Sequence, residues 1–428
     1  MEDDMLPRIT DVPSKKRHEF LMRKLRLCSV IFDLSVLVAY RRSNKSLTEF
    51  KQSGGPYEEL TKTMVRAGHK NDTLEELMDY VPTLESLPED AVSEIKNMVR
   101  ANIFRAFPSP TAHVPEQEKE TDNKLYGPGD KKPLVEGAWV HLLYVYEFLQ
   151  RIVDAGLLRD DHIEESFVEN LFNITMNADD SREACFVANL LPSFWEIFPQ
   201  KRPMIWTTVR RNLSRFVSSR HRHIPSAVTD LLRFASERIR ELPLPLKDGH
   251  KLFIQQILIP LHKTHAYPDY SLSLNVSMLD FLNKDRELAN MMFEGILSGD
   301  PIPPTSELCL LDELKSLMNS ARIEKITKSN AQLLCGRIAK GLTGSEVDVA
   351  KIALNILSWD RFIEFAKLHK NVSLPVIIPA LQNAGKHCIG DESVQVLAAE
   401  VRNRFYNVER HADRQVEGTS SDNKRRRI

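Results

Sequence analysis

The chain has 428 residues, more than one compact domain usually holds, so it must form two or three domains or one extended array. A hydrophobic content of 42% with 27% charged residues excludes a disordered chain. Lys and Arg number 58 against 59 Asp and Glu, so the overall charge favours neither nucleic acid nor an anionic membrane as a partner.

The N-terminal residues 1–15 begin with the acidic stretch MEDDMLPRIT, which lacks the basic and apolar regions of a secretory signal and predicts a flexible N-terminus. The apolar run 27–40 is interrupted by Asp33 and is too short to cross a bilayer core of about 30 Å. We therefore expect no membrane association. Five cysteines without a Cys-x-x-Cys pair favour reduced thiols over a disulfide framework or zinc site, and hence a cytosolic or nuclear compartment.

Helical spacing of apolar residues runs through nearly the whole chain, and no convincing strand alternation interrupts it. In residues 134–153, steps of three and four mark one apolar helix face, formed by Leu134, Ala138, Leu142, Val145, Leu149 and Ile152. Residues 244–263, LPLKDGHKLFIQQILIPLHK, place Phe253, Ile254, Ile257, Leu258 and Leu261 on one side. This pattern predicts a core-facing helix that Pro260 bends or ends.

Prolines mark predicted helix boundaries roughly every 15–25 residues, the length of one helix and its turn. They include Pro82, Pro88, Pro203, Pro225, Pro243, Pro245, Pro301, Pro304 and Pro375. Helix pairs with a period of roughly 40 residues are typical of HEAT and armadillo arrays. The sequence therefore predicts an all-α, elongated superhelical solenoid of HEAT-like repeats over residues 16–408. A polar, proline-rich stretch at 108–133 predicts a flexible loop, and residues 409–428 predict a disordered basic C-terminal tail.

Common catalytic and nucleotide-binding signatures are absent from the sequence, including the phosphate-binding loop, the zinc-protease helix motif and the nucleophile elbow. We expect no enzyme activity, no cofactor and no metal site. His250 and His262 lie twelve residues apart, too far along a helix to share a metal ion. His262 and His265 are closer but lack a third candidate ligand, so structural or solvated histidines are favoured.

A basic run at 201–222 carries seven cations and no acidic residue, with Trp206 and Phe216 interleaved. The cations are Lys201, Arg202, Arg210, Arg211, Arg215, Arg220 and Arg222. Such a run fits either a surface that binds carboxylate or phosphate groups, or an ordinary solvated helix face. Nucleic acid is the weaker third alternative, and we expect none, because the rest of the chain is not basic. The terminal KRRR at 424–427 fits a nuclear import signal or a chance basic tail, so we expect a cytoplasmic chain with nuclear entry as the alternative.

Several segments, in order, resemble the B-prime family of protein phosphatase 2A regulatory subunits. They are KLRLCSVIFDL at 24–34, ANIFRAFPSP at 101–110, AWVHLLYVYEFL at 138–149, FVENLFNITMNADDSREACFV at 167–187, residues 244–263, and FLNKDREL at 281–288. The resemblance is collinear from about residue 18 to 408 and implies an all-helical stack of HEAT-like repeats. It also implies a non-catalytic subunit that docks on the scaffold and catalytic subunits and recruits substrates through L-x-x-I-x-E peptides. The alternative is a general helical-repeat scaffold or transport adaptor that binds acidic or phosphorylated peptides.

The family's peptide pocket carries over onto four positions of this sequence: Trp195, Arg202, Phe234 and Arg238. Trp195 stands where the family has a tyrosine, Arg202 matches a pocket arginine, and Phe234 keeps an apolar position. Arg238 stands where the family has an isoleucine. The family's His-Arg pair is replaced by Pro192 and Ser193, which predicts weak binding of the L-x-x-I-x-E motif. The absence of a typical Trp-Pro in 296–307 and the loose match after 340 indicate a diverged member.

Overall fold

The computed structural model describes residues 6–31, 35–43, 45–105, 139–178, 180–218, 225–298, 304–344, 346–387, 393–406 and 408. The predicted loop at 108–133 and the predicted tail at 409–428 lie outside the described residues, as do residues 1–5. Within the described ranges every regular element is a helix, which confirms the predicted all-α helical-repeat class.

The chain divides into two compact units, Met1–Leu231 and Leu232–Ile428. The α-helices that begin in the first unit are α1 Ser14–Ser29, α2 Ser35–Arg42, α3 Leu47–Gln52, α4 Tyr57–Tyr80, α5 Glu89–Ile103, α6 Trp139–Asp154, α7 Glu165–Asn177, α8 Ser181–Asn189, α9 Leu191–Ile197, α10 Arg202–Ser218 and α11 Pro225–Glu241. Those that begin in the second are α12 Asp248–Phe253, α13 Ile259–Leu261, α14 Tyr267–Lys284, α15 Ala289–Leu297, α16 Glu307–Ser320, α17 Lys328–Thr343, α18 Val347–Ser358, α19 Asp360–Leu368 and α20 Lys370–His387, and residues 393–406 are also helical. Short 3₁₀ turns lie at Ile9–Asp11, Val81–Thr83, Asp160–His162, Pro199–Lys201, Arg286–Leu288, Pro304–Ser306 and Ile323–Lys325.

Helices in the first unit pack against non-consecutive neighbours. α1 packs on α5 and α7 packs on α10, while α4 packs on α6 and α6 packs on α9. Leu149 and Ile152 of the predicted stripe in α6 are 1% and 0% exposed. The apolar face read from the sequence is therefore the face that enters the core.

Helices in the second unit follow the same rule. α14, α16 and α18 pack in one row, and α15, α17 and α20 pack in another. α14, α15 and α16 each contact the helix two places along the chain, and α17 contacts the helix three places along, as expected when consecutive helix pairs stack on one another.

Hydrogen bonds between neighbouring repeats show the predicted period of roughly 40 residues. Asn212 Nδ2 donates to the Phe172 carbonyl at 2.7 Å, and these residues are 40 apart. The Arg361 guanidinium donates to the Ala321 carbonyl at 2.6 Å, again 40 apart, and Lys284 Nζ donates to the Leu242 carbonyl, 42 apart. The Ala321 and Leu242 carbonyls lie directly after α16 and α11, where carbonyls have no partner within the helix, so a cation from the next repeat satisfies each of them.

Residues 248–261 form a continuous helical segment whose middle, Ile254–Leu258, is a π-helix. Pro260 has no N–H to donate to the carbonyl four residues earlier, and the wider π-helical turn lies directly before it. The segment ends at Leu261, and Phe253, Ile254 and Leu258 are buried as their spacing predicts.

The predicted helix boundary at Pro375 is wrong. Pro375 lies inside α20, and Pro379 follows it one turn later. α20 packs along α17, and its Ile377 and Leu381 are 0% and 2% exposed. Burial of this apolar face against a neighbour offsets the hydrogen bonds that the two prolines remove.

The start of the chain, predicted as part of a flexible N-terminus, is held against the first unit from residue 6. Ile9 is fully buried, and its N–H donates to Glu76 Oε1 at 2.6 Å. Lys24, itself buried, donates to Glu76 Oε2 at 2.6 Å. The Glu76 carboxylate thus joins this segment, α1 and α4. The domain boundaries proposed from the sequence stay predictions.

Candidate peptide-binding site

Trp195 and Arg202 form one stacked pair in the first unit. Trp195 lies on α9, and Arg202 is the first residue of α10, directly after the 3₁₀ turn Pro199–Lys201. Arg202 Nε donates to the Trp195 carbonyl at 2.8 Å, and the guanidinium carbon lies 5.5 Å from the centre of the Trp195 ring. Glu196 Oε2 is 3.7 Å from the same guanidinium. Arg202 is thus oriented by a carbonyl, an aromatic face and a neighbouring carboxylate.

Phe234 and Arg238 form a second stacked pair in the second unit, one turn apart on α11. The Arg238 guanidinium carbon lies 5.5 Å from the centre of the Phe234 ring, which is 2% exposed. Glu237 and Glu241 lie 3.4 and 3.2 Å from the guanidinium. Only 11% of the Arg238 side chain is exposed, so this arginine is held more tightly than Arg202 at 39%.

Pro192 and Ser193 lie in the first turn of α9, where a proline is well tolerated. Pro192 is exposed and Ser193 is half-buried. Neither side chain carries a positive charge, so the site lacks the cation that the resemblance places at this turn. The structure joins Trp195 to Arg202 and Phe234 to Arg238, and it leaves Pro192 and Ser193 as the uncharged edge of α9.

The basic run on α10 is partly neutralised by its neighbours. Arg211 forms a salt bridge with Glu169 of α7, and Arg215 donates to Asn177 Oδ1 at 3.3 Å. Arg210 is half-buried, and its Nε has no hydrogen-bond partner among the described residues. Arg220 and Arg222, with the histidines between and after them, lie outside the described residues.

A buried carboxylate that sequence reasoning missed stabilises α8, the helix before the first stacked pair. Glu183 of α8 is fully buried and accepts from the Arg105 guanidinium at 2.7 and 2.5 Å and from the Tyr146 hydroxyl at 2.7 Å. Burial and the Glu183 carboxylate raise the pKa of Tyr146 well above its usual value. Asp180 caps α8 by accepting from the Arg182 N–H. The signal for Glu183 was its place on the same helix face as Ala184 and Val187.

Metal sites and membrane spans were both expected to be absent. No group of three or more His, Cys, Asp and Glu side chains that could hold a metal ion occurs in the part of the chain that the structure describes. Among the same described residues, no helix is both long and apolar enough to cross a membrane.

Stacked helix pairs define a helical-repeat protein, and comparison with known proteins identifies its class. The family model "Protein phosphatase 2A regulatory B subunit (B56 family)" matches residues 6–427. The B' delta isoform of the 55 kDa regulatory subunit of serine/threonine protein phosphatase 2A from Arabidopsis thaliana is 29% identical over 393 residues, covering 89% of this chain and 75% of that protein. The 59 kDa B' gamma isoform from the same plant is 29% identical over 406 residues, covering 93% of this chain and 71% of that one.

The chain belongs to the B56 family of protein phosphatase 2A regulatory B subunits. Its function is that of a regulatory subunit, and the resemblance read from the sequence is confirmed.

Proposed function

We propose that this chain has no catalytic activity of its own and acts by docking on the scaffold and catalytic subunits of protein phosphatase 2A. The family match across residues 6–427 carries the proposal. Stacked helix pairs suit the role, because they offer a long surface for a partner without a closed active-site cavity. The reaction would belong to the catalytic subunit.

Docking is tested by mixing the purified chain with purified scaffold and catalytic subunits and separating the mixture by size. A stable complex of all three, with phosphatase activity only when the catalytic subunit is present, is the expected result. Failure to assemble, or turnover by the chain alone, would contradict the proposal.

We further propose that the chain directs substrate choice through the two arginine–aromatic pairs, and that it binds L-x-x-I-x-E peptides weakly. The Arg202 guanidinium, the more exposed of the two, already lies 3.7 Å from Glu196 Oε2 of the helix before it, and the Arg238 guanidinium is mostly buried beside Glu237 and Glu241. A peptide glutamate must compete with Glu196 for Arg202. Pro192 and Ser193 supply no further cation, and one charge-assisted hydrogen bond contributes about 1.5–3 kcal/mol.

Calorimetric titration with an L-x-x-I-x-E peptide tests this specificity. The expected dissociation constant is at least about tenfold weaker than for a family member with the His-Arg pair, as one lost charge-assisted contact implies. Restoring the pair with Pro192→His and Ser193→Arg should recover affinity. An unmodified chain that binds as tightly as such a relative would refute the weak-binding proposal.

Arg202 is tested by affinity capture from extract with the Arg202→Glu variant. The expected result is loss of substrate proteins while the phosphatase subunits are retained. Arg211→Glu is the matched control, because Arg211 lies on the same helix with a similar side-chain exposure, 41% against 39%, and pairs with Glu169. If the Arg202 variant captures the same proteins as wild type, Arg202 has no part in ligand binding.

We propose a cytoplasmic site of action, with entry into the nucleus through the KRRR tail. The basic residues at 424–427 support the nuclear part. Fluorescent fusions of the full chain and of a variant with these four residues changed to alanine test it. Equal nuclear fractions for the two would exclude the tail as an import signal.

A further inference from the structure

His262, dismissed as a metal ligand on its spacing, lies at the centre of a fully buried polar cluster. The imidazole is 0% exposed and the Glu313 side chain 1% exposed. His262 Nε2 lies 3.0 Å from Glu313 Oε1, and the Tyr267 hydroxyl donates to Glu313 Oε2 at 2.6 Å. These contacts join the turn after α13 to the first residue of α14 and to α16.

The contacts of the other ring nitrogen, His262 Nδ1, determine how many hydrogens the imidazole and the Glu313 carboxylate must hold. His262 Nδ1 lies 3.0 Å from the Leu258 carbonyl and 3.0 Å from the Ile259 carbonyl. A carbonyl oxygen can only accept, so Nδ1 must carry a hydrogen. A neutral imidazole has only one ring N–H, which leaves Nε2 with a lone pair that faces Glu313 Oε1. With an ionised carboxylate, two lone pairs would oppose each other at 3.0 Å, a distance too short for a water molecule to lie between them.

One additional hydrogen removes this conflict. It makes either an imidazolium paired with a carboxylate or a neutral imidazole that accepts from a carboxylic acid. Both forms have zero net charge, as burial at 0–1% exposure requires. We propose that His262, Glu313 and Tyr267 form a proton-holding clasp, in which one proton shared by His262 and Glu313 fastens the turn after α13 to α14 and α16.

Other titratable groups near the clasp do not supply this hydrogen. Tyr270 of α14 donates its hydroxyl to the Leu261 carbonyl at 2.8 Å, and Asp269 lies near it. Cys309 of α16 faces Tyr267, and burial with the Glu313 charge raises the pKa of Tyr267 well above its usual value, so its hydroxyl keeps its hydrogen.

Lys263, the residue after His262, donates its Nζ to the Ile296 and Ser298 carbonyls at 2.7 and 3.1 Å. Glu294 on α15 is exposed. The Lys263 ammonium is therefore held by backbone carbonyls, and the Glu294 carboxylate is open to solvent.

Another buried histidine shows the contrast. His162 is 4% exposed, but its Nδ1 accepts from the Arg159 N–H at 3.2 Å. Its Nε2 faces Glu89 Oε1 at 3.3 Å, so a single ring hydrogen satisfies both nitrogens. His162 therefore needs no additional proton, and it serves as an internal reference for His262.

Proton release on unfolding tests the clasp. An unfolded histidine has lost most of its additional proton at pH 7.5, and an unfolded glutamate is ionised. Unfolding of the full chain by urea in weak buffer at this pH should therefore release about one more proton from wild type than from Glu313→Gln. A glutamine amide can accept from Tyr267 and donate to a neutral His262, so this variant has no need of the proton.

The same difference appears in the pH dependence of unfolding. Because unfolded wild type binds about one proton fewer than folded wild type, its unfolding equilibrium constant should rise roughly tenfold more per pH unit than that of Glu313→Gln. The control is Glu89→Gln, which changes the acceptor of His162 and should release as many protons as wild type. Equal release by wild type and Glu313→Gln would overturn the proposal.

A second measurement uses wild type alone and so does not depend on the folding of a variant. Nitrogen-15 spectra of the histidine-labelled chain at pH 7.5 should show a hydrogen on Nδ1 of His262 and none on Nδ1 of His162. A His262 Nδ1 without hydrogen would remove the basis of the hydrogen count and overturn the clasp.

Discussion

Lys70 in the first unit and His262 in the second both satisfy helix-end carbonyls from within the core, but with different partners. Lys70 Nζ donates to the Val30 carbonyl at 2.6 Å and to Asn102 Oδ1 at 2.7 Å. His262 instead faces a carboxylate, Glu313, at 3.0 Å. Both of these Lys70 acceptors are neutral oxygens, whereas the His262 imidazole faces an acid.

This difference gives the two clusters opposite responses to protons. Burial lowers the pKa of Lys70 to about 8, and burial with the Lys70 charge lowers the pKa of His141, which lies beside Asn102, to about 4. Burial also raises the pKa of the Cys28 thiol to about 12. Folding therefore tends to remove protons from the basic groups of the first cluster, whereas the clasp proposed in the second retains one. Helix-end carbonyls in stacked repeats can thus be satisfied either by a buried lysine or by a buried histidine that faces a carboxylate.

The largest effect should come from removing the acid of the second cluster. Glu313→Ala leaves the His262 imidazole and the Tyr267 hydroxyl without their buried acceptor, and breaking a buried pair in this way costs about 3–5 kcal/mol. Urea unfolding of the full chain should show this loss in the free energy of unfolding of the second unit. Asp312→Ala, at the next position on the exposed face of α16, is the control and should change it by less than about 0.5 kcal/mol. Equal losses in the two variants would show that Glu313 has no special place in the core.

The first cluster should respond to alkaline pH with the opposite sign. The Lys70 pKa is about 8 in the folded chain and near 10.5 in the unfolded chain, so above pH 8 the unfolded state binds more protons. The free energy of unfolding should then rise with pH, by about 1.6 kcal/mol between pH 8 and 9.5, relative to Lys70→Met. The difference between the two proteins isolates Lys70 from Cys28, which titrates in both.

Urea midpoints at several pH values measure this difference. Lys62→Met, which removes an exposed lysine from the same helix, should keep the pH dependence of wild type. A Lys70→Met variant with the wild-type pH dependence would show that the ammonium keeps its proton in the folded core.

The sequence predicted the helices well and the buried polar clusters poorly, and the reason is physical. The stripe from Phe253 to Leu261 follows from helical spacing alone, because apolar side chains on one face must leave water together. The contact between His262 and Glu313 joins residues 51 apart. Periodicity indicates that both lie on inner faces, but only the stacking of repeats decides which polar groups meet.

The candidate site divides in the same way. Phe234 and Arg238 are one turn apart on α11, so their stacking follows from helical spacing. Arg202 reaches Trp195 across a helix break, and nothing in the residue pattern indicates the bond from its Nε to the Trp195 carbonyl. The resemblance supplied these positions, but it could not show that Glu196, Glu237 and Glu241 already surround the arginines.

The smallest expected effect concerns ligand binding and sharpens the contrast between the two stacked pairs. Arg238 is mostly buried over Phe234, whereas Arg202 is more exposed, and the resemblance read from the sequence implies an isoleucine in place of Arg238 in the family. Arg238→Ile should therefore enlarge the apolar surface available to a peptide leucine or isoleucine and tighten binding of an L-x-x-I-x-E peptide by about tenfold, or 1.4 kcal/mol.

Calorimetry on the full chain measures this gain, and Arg233→Ile is the matched control, since it makes the same substitution at an exposed position of α11. The control should bind the peptide as wild type does. If Arg238→Ile also leaves the affinity unchanged, the guanidinium does not limit access to Phe234, and the weak binding must come from the uncharged turn at Pro192 and Ser193.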